Sequence, residues 1–463
     1  MRTARPSPIQ KALTTLYYKT LTEALDTLYN SHNSLNSHNS LVTLANPDFD
    51  FDFDDSLFDA AAREILDAGG YSPDYLTTPT GSALIGETAR AFDQAVAKGL
   101  GQEPDPAVAA ALRENAFIFS GFKTHAELEQ VANLLTDEHG NIRPFDDFRK
   151  DVMELNDKYN HQYLRTEYNQ AVQAAQMASK WADFERDKEF INLQYRTAND
   201  ERVRASHRVL HGVTLPVDDK FWQQYTPPNG WGCRCTVVAV PKDDPDFPVR
   251  DAQGSTINGK EVFPTPAYEI FKTNTAKDKK VFPDKHPYLP KGCGNCQYKR
   301  LVFDNAKAIC KACRKVDAAS ARWSRETVRN HFKNVINGKS SIEWDVNIPG
   351  INTLTITYQD IKTVTGKPHK HPYMRNMAVY YLKSLFKDAR YLGYTKDIKG
   401  NGVSGHNDQQ IWHYYEINFM SQKSYLIVKE HKGKCYMHHI QDDEHFDVSK
   451  IQNKVDKIKP PVG

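Results

Sequence analysis

Apolar positions recur along this chain with two different periods, and the change of period divides it. Near the start, Leu13, Leu16, Tyr17, Leu21 and Leu25 share one face of a helically spaced segment. Residues 30–40 then repeat Ser-His-Asn-Ser twice and read as a flexible linker, in which His32 and His38 are solvated members of a polar repeat. Phe and Asp alternate through residues 47–55, a pattern open to an edge strand or to an acidic docking segment. Residues 56–115 are Ala-rich and helical in period, with turn signals at Gly69-Gly70 and at residues 79–81. Leu128, Val131, Leu134 and Leu135 form a further helical stripe, and Val152, Leu155 and Tyr159 another. The longest predicted helix covers residues 157–186, which contain neither Gly nor Pro.

Beyond Arg196 the texture changes to loops and short strands that end in the apolar run 236–240, and the Pro- and Asp-rich residues 241–248 close this part. Residues 249–315 read as an irregular connector. A new pattern starts at Arg322: a helix over 322–335, a strand over 354–358 and a helix over 375–389. Three strands follow, over 411–419, 424–430 and 434–440, with turns at 421–423 and 432–433, as expected of an antiparallel meander. The fold class expected is multidomain α+β. Its parts are a helical N-terminal region 1–115 with a low-complexity linker 30–55, a mainly helical domain 116–248, a connector 249–320, and a basic α+β domain 321–463 with an antiparallel sheet.

The composition, 40% hydrophobic and 25% charged, is that of a globular protein. No apolar run approaches the roughly 20 residues that span a bilayer, so no membrane partner is expected. The first fifteen residues hold two arginines and one lysine but no apolar stretch, so a secretory signal is not expected. The net charge of +2 conceals an asymmetry. Residues 321–463 carry 22 Lys+Arg against 14 Asp+Glu, or +8, which leaves the rest of the chain at −6. A basic C-terminal third on an acidic body points to an anionic partner for that third, the plain alternative being fluctuation over a long chain.

Six of the seven cysteines fall in close pairs, and Cys435 stands alone. Cys293, Cys296, Cys310 and Cys313 make two CxxC knuckles with thirteen residues between them, and four thiolates can close a tetrahedron around structural zinc. A redox pair or an iron–sulfur cluster is the alternative. Cys233 and Cys235 are too close in sequence for an unstrained disulfide. His207 and His211 share a face if they lie on a helix, so these four residues could form a second zinc site. Otherwise the cysteines are small core residues and the histidines hydrogen bond. Nearby, Asp200, Glu201, Arg202, Arg204 and Arg208 read as an Arg–carboxylate network that orders a loop, in preference to a catalytic pairing of Asp200 or Glu201 with His207.

The segment from Tyr195-Arg196-Thr197 through Val203-Arg204, His207 and His211-Gly212 to Pro227-Pro228-Asn229-Gly230-Trp231-Gly232-Cys233-Arg234-Cys235 resembles the phage Mu F-like minor head, or head morphogenesis, family. Upstream, Leu164-Arg165-Thr166-Glu167-Tyr168-Asn169 fits the same pattern, and the likeness covers about residues 115–245. It implies a structural protein present in few copies at or near the portal and needed for head assembly. Portal and other capsid proteins would be its partners, and the virion, or the host bacterial cytoplasm during assembly, its place.

Nine of the seventeen histidines lie between His331 and His445. A helix followed by a meander bearing His with Lys, Arg or Tyr resembles the barnase–EndoU–colicin–RelE-like nucleases, in architecture and composition and without a sharp motif. That resemblance implies a metal-independent ribonuclease toxin, with an immunity protein as partner. His371 and His406 would be the acid–base pair, with Lys396, Arg375 and His413 holding phosphate. The alternative is a purely structural head protein whose C-terminal domain binds packaged DNA or another virion protein without catalysis.

Overall fold

The computed structural model describes residues 49, 51–102, 104–137, 139, 141–251, 256–257, 260–261, 271–284, 286–289, 310–398, 409–444, 446–451 and 453–454. The helical segment expected at 13–25, the Ser-His-Asn-Ser repeat, Cys293, Cys296 and His406 lie outside them. The chain forms two compact units, Met1–Lys299 and Arg300–Gly463.

The first unit begins with a helix where the Phe/Asp alternation left a strand open. Asp54 caps α1 (Asp55–Asp67) by accepting from the Ser56 N–H at 3.1 Å, while Phe53 is buried. Alternation here buries rings and caps a helix. Helices α2 (Pro79–Leu100) and α3 (Pro106–Asn133) follow, each with Pro in its first turn after a capping side chain, Thr78 or Asp105. Next come α4 (Phe145–Asn156), a π-helical stretch (Asp157–Tyr163) and α5 (Leu164–Asp187). Close crossing of α2 and α5 depends on Gly99, where a Cβ would fall 2.6 Å from the Ala175 Cβ. The expected boundary at 115/116 falls inside α3, whose buried side chains run from Val108 to Val131, so this helix belongs to one body.

A small antiparallel sheet completes the unit in the order β2-β1-β3, with β1 at Ile191–Arg196, β2 at Thr214–Pro216 and β3 at Thr236–Pro241. Between these strands lie two short helices, α6 (Ala205–Arg208) and α7 (Phe221–Tyr225). A two-residue hairpin, β4 (Thr256–Ile257) and β5 (Lys260–Glu261), and α8 (Thr275–Asp278) come after. Part of the expected connector is core. Phe282 is fully buried, stacks on Phe119 at 3.7 Å, and is anchored through its N–H to Asn115 Oδ1 at 2.8 Å.

In the second unit α9 (Lys311–Ile336) starts well before the helix read from the sequence and crosses the 320/321 boundary. The hairpin β6 (Ile342–Ile348) and β7 (Ile351–Ile356) precedes α10 (Tyr358–Gly366), α11 (Pro372–Tyr380) and α12 (Leu382–Asp388). The expected helix 375–389 is thus two helices, divided at Tyr381. Strands β8 (Arg390–Ile398), β9 (Gln409–Phe419), β10 (Gln422–His431) and β11 (Lys434–Asp442) form the antiparallel meander, and β12 (Asn453–Lys454) edges it. The sheet order is β12-β8-β9-β10-β11-β7-β6, and the β11–β7 pair is parallel. In this unit β6, β8 and the two-residue β12 escaped the sequence reading. β6 is a half-exposed edge strand, and β8 contains Gly393 at a bulge, so neither shows a long apolar run. No described helix is long and apolar enough to cross a membrane.

Candidate functional site

In the first unit, the chain between β1 and β3 brings ligand-type side chains together. α6 lasts a single turn, so His211 lies beyond its end and does not share a face with His207. His211 turns to β1 instead, its Nδ1 2.9 Å from Thr197 Oγ1 and 3.2 Å from the Thr197 N. His207 turns inward, with Nδ1 3.7 Å from Cys233 Sγ and 3.6 Å from Cys235 Sγ. These three residues are buried, and their ligand atoms all lie within 4.8 Å of one another. Of the four residues expected in a second zinc site, the structure gathers three and leaves His211 out.

The surroundings polarise the two thiols differently. The hydrogen bond from Cys235 holds the Cys233 thiol well below its usual range, with burial opposing and His207 assisting. Cys235 is pushed well up, chiefly by its hydrogen bond to Cys233 and by burial. Tyr195, fully buried, lies against Cys235 and donates from its hydroxyl to Asn229 Oδ1 at 2.9 Å.

The charged residues just upstream order the loop. Arg234, between the two cysteines, forks onto Asp200, with Nη2 to Oδ1 at 2.5 Å, and this hydrogen bonding holds the Asp200 carboxyl down. Asp200 also accepts from the Arg202 N–H at 3.0 Å. Arg204 donates to the Trp231 carbonyl and Arg208 to the Val203 carbonyl, while Glu201 is exposed. The sequence reading missed Arg234 as the principal partner, although its place inside Cys-Arg-Cys was a signal. Asp200 is committed to Arg234 and His207 to the sulfurs, so the two do not make a catalytic pair.

A second polar knot of this unit left no sequence motif. Lys123 on α3, fully buried, pairs with Glu167 on α5 at 2.6 Å and donates to the Tyr159 carbonyl at 2.6 Å. Tyr288 donates to the other Glu167 oxygen, and burial pushes the Glu127 carboxyl up to about 8.

In the second unit the residues expected to share a cleft separate into different settings. His413, 5% exposed, has both ring nitrogens engaged, Nδ1 with Tyr391 Oη at 3.1 Å and Nε2 with Glu430 Oε2 at 3.0 Å. Gly350, at φ +88°, packs so closely that a Cβ there would fall 2.8 Å from His413 Nδ1. Arg375 is 1% exposed and serves the backbone, donating to the carbonyls of Lys367 and of Thr365, the latter at 2.7 Å. Neither is placed to meet a phosphate from solvent. Lys396 on β8 lies over the Tyr394 ring, and His371 is the N-cap residue of α11. Cys310 caps α9, its sulfur 3.0 Å from Cys313 Sγ and accepting from the Cys313 N–H at 3.4 Å.

What does converge is a basic group between the 367–371 loop and β11. Lys367 Nζ lies 3.0 Å from His438 Nε2, and the His371 N–H donates to His369 Nδ1 at 2.9 Å. Burial, reinforced by the neighbouring cations, lowers His369, His438 and His439 to about 4 each, with Asp442 partly opposing at His369. His369 Nε2 and His439 Nδ1 are buried without a hydrogen-bond partner. The Lys-Pro-His-Lys-His-Pro run signalled half of this group. The other half arrives from β11, more than sixty residues away.

With the geometry described, the comparisons can be placed on it. Residues 125–238 match the family model for Phage Mu protein F like protein. A Mu-like prophage FluMu F protein of Haemophilus influenzae is 42% identical over 77 residues, 17% of this chain and 18% of that protein. A protein of Escherichia phage Mu named "Putative capsid assembly protein F" is 38% identical over 78 residues, 17% of this chain and 18% of its own length. An uncharacterized protein of Methanocaldococcus jannaschii is 38% identical over 71 residues, 15% of this chain and 11% of that protein. The chain thus spans less than a fifth of the length of the curated relatives it matches. No solved structure matches. The matched residues contain the Cys233–Cys235–His207 cluster, the Asp200–Arg234 fork and, of the buried polar knot, Glu127 and Glu167, and the chain carries a Phage Mu F-like domain within residues 125–238.

Proposed function

We propose that this chain is a phage or prophage head-assembly protein, acting in the virion and in the host cytoplasm during assembly through its Mu F-like domain, with portal and other capsid proteins as partners. The observation that carries this reading is the family match over residues 125–238, joined by the capsid assembly named for the phage Mu relative. The test is to delete the codons for 125–238 from the genome that encodes the chain and to examine lysates by electron microscopy. DNA-filled heads should be lost; an undiminished yield of filled heads would overturn the proposal.

A finer reading concerns the second unit, which we propose to be a metal-independent ribonuclease toxin held in check by an immunity protein. The basic histidine group favours it, because half-buried imidazoles grouped beside Lys367 can exchange protons while the cations attract phosphate. In that chemistry one histidine takes the 2′-hydroxyl proton as the 2′-oxygen attacks phosphorus. A second, starting as the imidazolium, donates its proton to the departing 5′-oxygen and becomes neutral, leaving a 2′,3′-cyclic phosphate and a 5′-hydroxyl. The acid and base would come from His369, His371, His438 and His439, with His406 tested in the same series. Expression of the full chain should degrade cellular RNA, and His369→Ala with His439→Ala should prevent this. Intact RNA from cells making folded protein would leave DNA or virion-protein binding as the role of the unit.

A further inference from the structure

We propose that His207, Cys233 and Cys235 form a structural zinc site inside the Mu F-like domain, separate from the CxxC knuckles. Zn–S bonds of about 2.3 Å and a Zn–N bond of about 2.0–2.1 Å at the tetrahedral angle place nitrogen and sulfur roughly 3.6 Å apart. His207 Nδ1 lies 3.6 Å from one sulfur and 3.7 Å from the other. The imidazole nitrogen thus already stands from each sulfur at the spacing one metal ion imposes, and the three ligand atoms lie within 4.8 Å of one another. All three side chains are buried, where no bulk water competes for a metal ion.

The fourth position falls to a water, since the Tyr195 hydroxyl is held by Asn229 Oδ1. His211 takes no part, since its Nδ1 is held at Thr197. The site has a mechanical purpose. Between β1 and β3 the chain forms a four-residue helix, a three-residue strand and a five-residue helix, too little regular structure to hold itself. An ion joining α6 to the start of β3 ties the two ends of this loop region together, and metal affinity then adds directly to folding stability.

The test uses the full chain with Cys293, Cys296, Cys310 and Cys313 all replaced by Ser, so that the knuckles cannot hold metal. The purified protein should keep one equivalent of zinc by elemental analysis. Cobalt(II) exchanged into it should show a thiolate-to-metal charge-transfer band. Adding Cys233→Ser or His207→Ala should abolish both signals, while His211→Ala should keep them. A folded knuckle-free chain that holds neither zinc nor cobalt overturns the proposal, as does loss of metal on His211→Ala with the fold intact. Because the decisive measurement is made on a chain whose His207, Cys233 and Cys235 are untouched, misfolding of the ligand variants would not rescue the idea.

Discussion

The two units hold polar clusters of opposite kinds, the first buried and the second half-buried. In the first, a lysine and two glutamates lie between α3 and α5, and the Lys123–Glu167 pair leaves Glu127 as the surplus acid. In the second, three histidines share their pocket with Lys367 and Arg375, and the surplus charge is positive. Burial disfavours the ionised form in both, so it raises the carboxyl and lowers the imidazoles. One physical cause thus gives these two clusters opposite responses to pH.

The largest expected effect comes from breaking the buried pair. Glu167→Ala strands Lys123 in the helical core and should cost about 3–5 kcal/mol, read by hydrogen exchange over α3 and α5. A loss below about 1 kcal/mol would mean that water reaches Lys123. In the second unit Arg375→Ala leaves the Thr365 and Lys367 carbonyls without their donor and should cost about 2–4 kcal/mol, seen as faster exchange in α10 and α11.

The pH comparison follows from the signs. Glu127 titrates near 8 when folded and near the ordinary carboxylate value when unfolded, so the folded state binds the extra proton between those values. Its contribution is present at low pH and is lost as pH rises through about 8, with a slope of about 1.4 kcal/mol per pH unit at most. Glu127→Gln should flatten that slope. His286, buried and lowered to about 3, works the other way in the same unit, so the difference between Gln variant and parent is the quantity to measure. In the second unit, His369, His438 and His439 stay neutral when folded. Their contribution is present above the ordinary histidine range and is lost as pH falls toward about 4. Exchange in β11 should therefore accelerate in acid; a rate independent of pH after correction for intrinsic chemistry would break the comparison. The smallest effect belongs to the surface: Glu444→Ala removes the exposed partner of Lys370 and should change stability by less than about 1 kcal/mol.

Legibility differed between the units for physical reasons. Gly- and Pro-free periodicity exposed α5, and alternation between turn signals exposed β9, β10 and β11 to within a few residues. β6 and β8 were hidden, one as a half-exposed edge and the other by its glycine bulge. The boundary at 115/116 was misplaced because a turn-free helix continues across it, and the core role of Phe282 was hidden because its partner Phe119 is 163 residues away. In the candidate site, the Cys-Arg-Cys spacing already put both sulfurs in reach of one point. Which histidine joins them was not legible, since it depends on α6 ending after one turn.

Local chemistry was therefore written in the sequence: a Mu F-like motif from Tyr195 to Cys235, the helical and meander periods, and a basic, histidine-rich third. These depend on neighbours within a turn or two of chain, where spacing alone decides which side chains share a face. The tertiary structure decided the rest. It set His207 rather than His211 against the thiols, brought Lys123 to Glu167, inserted β7 beside β11 in parallel, and joined Lys367 to His438. Each of these is a contact between distant segments, and its energy comes from burying groups that carry no mark in the local pattern of how far along the chain their partners lie.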